Sequence, residues 1–273
     1  MSHLKWALNT STLFPFELDV IEQVRVAAEA GYDGIELWVK DIESYLKNGG
    51  SIKELRHFIE DKDIEVVNGI AFFKWSDIDE ATRKDGLRQA EREMLMLRDL
   101  GCKAVATPPT GDVENLSLET MALHFAELIA IARPLGVEPY LEFWGGSQQL
   151  SKISDAIYLA IESNILDVKI LLDLFHMYTG GSETESLSYL SSKHIGIIHV
   201  NDYPASPSKE YIQDSDRVYP GEGIAPSKEV KDFLNRIGYC GYLSLELFIE
   251  NYGTKTPLVV ASEGLEKMKE VYF

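Results

Sequence analysis

The sequence contains a recurring junction in which a helical pattern ends at a glycine and an apolar strand begins within a few residues. Four copies are found, at 30–37, 100–105, 135–141 and 237–243. A glycine just beyond a helix accepts the left-handed backbone conformation, which satisfies the last carbonyl groups and turns the chain sharply. The junction therefore predicts a chain that alternates helices with strands, as parallel α/β folds do.

The same alternation runs along the whole chain. Hydrophobic periodicity predicts eight strands near 4–9, 34–38, 64–70, 103–107, 138–143, 168–173, 195–200 and 242–247. It also predicts helices near 17–30, 51–61, 78–100, 116–135, 150–163, 183–191, 226–237 and 257–271. Eight strand–helix units in 273 residues favour a single closed (β/α)8 barrel over 1–273, and no Gly-x-Gly-x-x-Gly follows the first strand to support an open dinucleotide-binding sheet.

The charge of the chain restricts its partners. With 26 basic and 44 acidic side chains the net charge is −18, and no basic stripe is present to bind phosphate groups. We therefore expect neither nucleic acid nor a membrane surface as a partner. The first residues lack an apolar stretch of signal-peptide length, which predicts a cytoplasmic protein. The outer helices of such a barrel could also support a homo-oligomer, either a dimer or a tetramer.

An ionisable residue stands at the end of each of the last four predicted strands. These residues are Glu142, Asp173, His199 and Glu246. Reacting groups of (β/α)8 barrels lie at the carboxyl ends of strands, so all four are expected in one pocket. Each alone could belong to a structural ion pair, but three clustered carboxylates repel unless a cation lies between them. We predict one divalent metal ion held by the four, with Mn²⁺ favoured and Zn²⁺, Co²⁺ or Mg²⁺ as alternatives.

A metal ion facing two glutamates suits the removal of a proton next to a carbonyl group. Glu142 and Glu246 are the predicted catalytic bases, and the ion would stabilise the enediolate. His176 and Arg217 are predicted to contact substrate oxygens. The alternative for His176 is a cap at the start of a loop, and the alternative for Arg217 is a structural ion pair. Trp144 is one of several aromatic residues near strand ends that either wall a sugar pocket or belong to the core, the others being Trp38, Phe72, Phe73 and Trp75.

Two further charged residues lie near the predicted strand ends. Glu36 ends the second strand and either faces the cavity or makes a structural hydrogen bond. Lys74, between two aromatic residues, is expected to be a solvated loop charge rather than a general acid.

The combined motifs resemble the xylose-isomerase-like TIM-barrel superfamily. They are Glu142, Asp173-x-x-His176, His199-x-x-Asp202, Asp216-Arg217-x-x-Pro220-Gly221-x-Gly223 and Glu246. Within that superfamily, 141–143, 216–221 and 244–248 are most similar to inosose (2-keto-myo-inositol) isomerases and related ketose 3-epimerases. The resemblance implies the same four metal ligands, with proton exchange by the two glutamates. Gln148 stands where ketose 3-epimerases often carry a glutamate, and we expect it to bind substrate.

Three functions remain open at this point. The first is a divalent-metal-dependent isomerase or epimerase acting on a small polyol ketone, such as a keto-inositol, or on a ketose. The second is a dehydratase of an inosose or dehydroshikimate on the same barrel, which needs a general acid near the leaving hydroxyl. The third is a non-catalytic sugar-binding barrel in which the carboxylates hold a structural ion.

Overall fold

The computed structural model describes residues 4–273, in which eight parallel strands close into a barrel in the order of the chain. The strands are β1 (Lys5–Asn9), β2 (Gly34–Trp38), β3 (Glu65–Ile70), β4 (Ala104–Thr107), β5 (Glu138–Glu142), β6 (Lys169–Asp173), β7 (Ile195–Val200) and β8 (Tyr242–Leu245). Pairing of β1 with β8 completes the cylinder, and this confirms the predicted closed (β/α)8 barrel.

Nine α-helices accompany the strands within the described chain. They are α1 (Val20–Ala30), α2 (Val39–Lys47), α3 (Ile52–Asp61), α4 (Glu80–Leu100), α5 (Leu118–Leu135), α6 (Ile153–Glu162), α7 (Leu174–Gly180), α8 (Ser227–Ile237) and α9 (Pro257–Tyr272). The junction glycines after α1 and α5, Gly31 and Gly136, have φ of 90° and 80°. Their left-handed conformation supports the turn from helix to strand that the sequence predicts.

Two predicted elements differ from the structure. The helix expected near 183–191 is a short 3₁₀ segment, Thr184–Tyr189, and the α-helix after β6 is α7. The reason is that Asp173 both ends β6 and caps α7, so the helix starts at Leu174, nine residues before the predicted position. The eighth strand, predicted to reach residue 247, ends at Leu245, which places Glu246 just beyond it.

Apolar side chains cover both the outer and the inner face of the barrel wall. The larger layer lies between strands and helices and includes Leu8, Leu97 and Leu245. The smaller fills the inside of the barrel with Ala7, Leu171, Ile197 and their neighbours. Because side chains alternate along a strand, the residues two positions further along β1, β6 and β7 also point inward. Those residues are Asn9, Asp173 and His199, and together they form a buried polar layer above the apolar one.

The strand register places this polar layer at one level. Asp173 is paired with His199, and His199 with Ser244, across β6, β7 and β8. On the other side of the barrel Asn9 is paired with Glu36, which in turn is paired with Asn68. The carboxyl ends of the strands therefore carry a ring of polar side chains, all of them buried.

Candidate functional site

The four residues predicted as metal ligands lie together at the carboxyl end of the barrel. Asp173 and His199 are 0% and 1% exposed, and Glu142 and Glu246 are 6% and 5% exposed. Asp173, His199 and Glu246 each offer one ligand atom, and these atoms lie within 4.8 Å of one another. Glu142 falls outside this group in the described chain, although it lines the same cavity as His199 and Glu246. Its role as a fourth ligand stays a prediction.

The surroundings of His199 fit a divalent cation. Its Nδ1 lies 3.0 Å from Glu246 Oε2 and 3.6 Å from Asp173 Oδ2. This buried nitrogen makes no hydrogen bond within residues 4–273. Two carboxylate oxygens beside one imidazole nitrogen form a donor set that suits Mn²⁺ or Zn²⁺. Asp173, His199 and Glu246 could therefore hold a divalent metal ion.

Asp173 is oriented by its place between a strand and a helix. Its Oδ1 accepts hydrogen bonds from the backbone N–H groups of Phe175 and His176, at 2.7 and 3.1 Å. These bonds cap the first turn of α7 and fix one oxygen of the carboxylate. The other oxygen, Oδ2, is thereby directed toward His199 and Arg217.

Arg217 reaches the same carboxylates from the long loop between β7 and α8. Its Nη1 donates to Asp173 Oδ2 at 2.9 Å and to Glu246 Oε2 at 2.8 Å. Its Nη2 donates to Asp214 at 2.5 Å. The guanidinium carbon lies 4.5 Å from the centre of the Phe175 ring, and the side chain is 1% exposed. The residue predicted as a substrate contact is thus also a buried counter-ion.

Asp202, in the His199-x-x-Asp202 motif, organises the loop that carries Arg217. Its carboxylate accepts hydrogen bonds from the backbone N–H groups of Tyr203, Gly221 and Ala225. Its backbone also pairs with Val218 in an antiparallel bridge. The loop is therefore fixed on both sides of Arg217.

The polar residues of the first three strands support this cluster, although Asn9 was not predicted from the sequence and the role of Glu36 was left open. Asn9 donates from Nδ2 to Glu246 Oε1 at 2.9 Å, while its Oδ1 accepts from Trp38 Nε1. Glu36 accepts from Asn68 Nδ2 at 2.7 Å and also contacts His199 Nε2 at 3.1 Å. Their signal in the sequence was a polar residue at the inward position of an otherwise apolar strand.

The electrostatics of the cluster favour an added cation. Burial raises the pKa of Glu142 to about 8, and Glu246 and Asp173 add to this shift while His199 opposes it. Burial works against a charge on His199, but Glu246 and Glu36 outweigh it and hold the pKa of the imidazole well above its usual range. The cluster contains four buried carboxyl groups, those of Glu36, Glu142, Asp173 and Glu246, against one guanidinium and one imidazole. A divalent cation would compensate this excess of acid.

A cavity of about 490 Å³ opens above the cluster. Its lining includes the predicted substrate contacts Trp144, Gln148, His176 and Arg217, together with Trp38, Phe72 and Phe248. The predicted aromatic wall is thus only partly present there, because Phe73 and Trp75 are buried in the core. Lys74 is exposed and does not line the cavity, in agreement with a solvated loop charge.

His176 lines the cavity as a neutral imidazole. Burial lowers its pKa to about 4, with Asp173 opposing the shift. Its Nδ1 is buried and has no hydrogen-bond partner within the described chain. Such a group is able to bind a hydroxyl or carbonyl oxygen of a ligand.

The barrel and its site define a known class of protein. The family model described as "Xylose isomerase-like TIM barrel" matches residues 24–271, and the chain belongs to this family. It is 28% identical over 242 residues to an inosose isomerase from Halalkalibacterium halodurans, covering 86% of this chain and 84% of that protein. A 3-dehydroshikimate dehydratase from Pseudomonas aeruginosa is 25% identical over 261 residues, which are 90% of this chain and 39% of the dehydratase.

A solved structure is similar over nearly the whole molecule. It is described as the IOLI protein with a binding zinc atom, and it has a TM-score of 0.89, 26% identity and 98% coverage of both chains. In the part of our structure that is described, no helix has both the length and the apolar character that a bilayer span requires.

Proposed function

We propose that this protein is a divalent-metal-dependent isomerase or epimerase of a small uncharged sugar or keto-inositol. The observation that carries the proposal is the buried group of Asp173, His199 and Glu246, which adjoins Glu142 at the base of the cavity. The similarity to inosose isomerases over most of both chains supports the same class of reaction.

The two glutamates are the groups that would move the proton. Glu142 ends β5 and Glu246 follows β8, so they approach the cavity from different sides of the barrel. A bound divalent ion, for which Mn²⁺ is our first choice, would stabilise the negative charge on the carbonyl oxygen when the neighbouring carbon is deprotonated. One carboxylate would take the proton from carbon, and the same or the opposite one would return it.

The charges of the cavity support an uncharged substrate. Among the described residues that line it, Arg217 is the only lysine or arginine. Its guanidinium already pairs with Asp173, Glu246 and Asp214. A phosphate or carboxylate of a substrate would therefore meet an excess of acidic side chains and no unpaired basic one. Trp38, Phe72 and Trp144 instead offer aromatic faces for the C–H groups of a polyol.

Dehydration is the second candidate, because 3-dehydroshikimate dehydratases are among the relatives. Dehydroshikimate carries a carboxylate, for which the described lining residues offer no unpaired basic side chain. The candidates for the general acid that dehydration needs are Lys74 and His176. Lys74 is exposed and lies outside that lining, and His176 lines the cavity but burial lowers its pKa to about 4, which leaves it neutral. The geometry therefore favours isomerisation or epimerisation.

Proton NMR in D₂O tests the proposal directly. Chelated protein would be reloaded with Mn²⁺, Zn²⁺, Co²⁺ or Mg²⁺ and incubated with a panel of keto-inositols and ketoses, with 3-dehydroshikimate added. We expect metal-dependent deuterium uptake at the carbon next to the carbonyl, lost in Glu142→Gln and Glu246→Gln. The matched control is Glu250→Gln, an exposed glutamate outside the cavity lining, which should retain activity.

The other outcomes separate the alternatives. New vinyl signals would identify a dehydratase and contradict the proposal. Metal binding without exchange on any compound of the panel would favour a non-catalytic sugar-binding barrel.

A further inference from the structure

One buried carboxylate of the polar layer takes no part in the reaction proposed above. Glu36, on β2, is 0% exposed and is absent from the cavity lining within the described chain. It reaches across the inside of the barrel to His199 on β7, although β2 and β7 are not neighbouring strands. A buried charge in such a position is costly unless every lone pair is used.

Each polar neighbour of this carboxylate acts as a hydrogen-bond donor. The Asn68 amide donates to Oε2 at 2.7 Å, and the Ser244 hydroxyl donates to Oε1. Because an ionised carboxylate only accepts, the contact with His199 Nε2 at 3.1 Å requires a proton on that nitrogen. Glu36 therefore fixes which ring nitrogen of His199 keeps its proton.

The opposite ring nitrogen is left to face the carboxylates. Nδ1 lies 3.0 Å from Glu246 Oε2 and 3.6 Å from Asp173 Oδ2, with no hydrogen-bond partner in the described residues. One ligand atom each of His199, Asp173 and Glu246 lie within 4.8 Å of one another. When Nδ1 carries no proton, it could therefore bind the same cation as the two carboxylates.

We propose that Glu36 is a positioning residue that holds the His199 ring with Nε2–H bound and Nδ1 presented as a metal ligand. The inference rests on the metal site of the proposed function, but it concerns binding of the ion and not the chemistry of the substrate. The strand register supports this proposal, because Asn9 of β1 is paired with Glu36 of β2, which is paired with Asn68 of β3. Strands that supply none of the predicted ligands thus supply the residues that orient them.

Affinity for the metal alone is the first test. The dissociation constants for Mn²⁺ and Zn²⁺ would be measured by calorimetry on chelated wild type, Glu36→Gln and Glu36→Asp. Both variants should bind about 10- to 100-fold more weakly, which is the usual loss when the partner of a ligating histidine is removed. Glu93→Gln makes the same chemical change at a buried glutamate on α4 and should bind within about twofold of wild type.

The second test measures the NMR signals of the His199 ring nitrogens, which would not change if Glu36 had only a structural role. In ¹⁵N-labelled, zinc-loaded wild type we expect a protonated Nε2 and a metal-bound Nδ1, assigned by loss of the signals in His199→Asn. In Glu36→Gln the Nε2–H signal should shift or broaden through exchange. Circular dichroism would establish that the variant is folded, and Glu36→Asp provides a second test if it is not.

Different results would contradict the role of Glu36 and the proposed function. A wild type that binds the ion through Nε2, or folded variants that bind it as tightly as wild type, would overturn the role of Glu36 and leave the proposed function intact. A wild type that binds neither ion would overturn both proposals.

Discussion

Replacing Arg217 with methionine should destabilise the metal-free protein and increase its response to metal. The guanidinium is 1% exposed and bridges Asp173 and Glu246, which are 0% and 5% exposed. Methionine fills similar space but leaves both buried carboxylates without this donor. Removal of one partner from a buried ion pair costs about 3–5 kcal/mol. For a chain of this size that corresponds to a fall of roughly 6–20 °C in Tm, at about 2–4 °C per kcal/mol.

The assay is calorimetric unfolding of wild type and Arg217→Met in chelator and then in saturating Mn²⁺. The ion should raise the Tm of the variant more than that of the wild type, because the freed carboxylates gain a cation. Arg25→Met, which alters an exposed arginine on α1, is the matched control and should leave both values unchanged. A metal-free Tm for Arg217→Met within about 2 °C of wild type would refute the reasoning, since it implies a cost below about 1 kcal/mol.

Three other variants test separate parts of the structure. Asn9→Leu removes the amide group that donates a hydrogen bond to Glu246. It should lower kcat about 10- to 100-fold, because that is what a hydrogen bond to a charged group contributes, and an unchanged kcat in steady-state assays would contradict this. Lys74→Met should leave kcat/KM within about twofold, because its side chain is exposed outside the cavity. Burial raises the pKa of Glu93 above its ordinary value of 4.5, so its ionisation costs more in the folded state than in the unfolded state. Wild-type stability therefore falls as the pH rises from the ordinary pKa through the raised one. Glu93→Gln should therefore have the higher Tm at neutral pH and lose this advantage as the pH falls below about 4, where the wild-type acid becomes protonated in both states; a pH-independent difference in melting curves would argue against it.

The barrel could be predicted from the sequence because its determinants are local. Apolar strand runs and junction glycines such as Gly31 and Gly136 are read from a few neighbouring residues, and the observed strands begin and end close to the predicted positions. The helix after β6 was misplaced because Asp173 was treated only as the end of a strand. Its second role, capping α7, depends on the orientation of the carboxylate toward the N–H groups that follow.

The metal ligands were predictable because they end consecutive strands, whereas their supporting residues were not. Asn9 and Glu36 act on Glu246 and His199, which lie more than 160 positions away in the chain. Local periodicity carries no information on such contacts across the barrel. For Arg217 the sequence favoured a substrate contact with a structural ion pair as the alternative. Its pairing with Asp173 depends on how the loop between β7 and α8 folds over the site.

The most direct test of the account is the rate of deuterium uptake by a keto-inositol in D₂O, measured against the number of divalent ions bound per chain. We expect no uptake by chelated protein, and an uptake rate that rises in proportion to the bound ion until one ion is held per chain. Uptake by metal-free protein, or full occupancy of the site with no uptake by any polyol ketone, would contradict it.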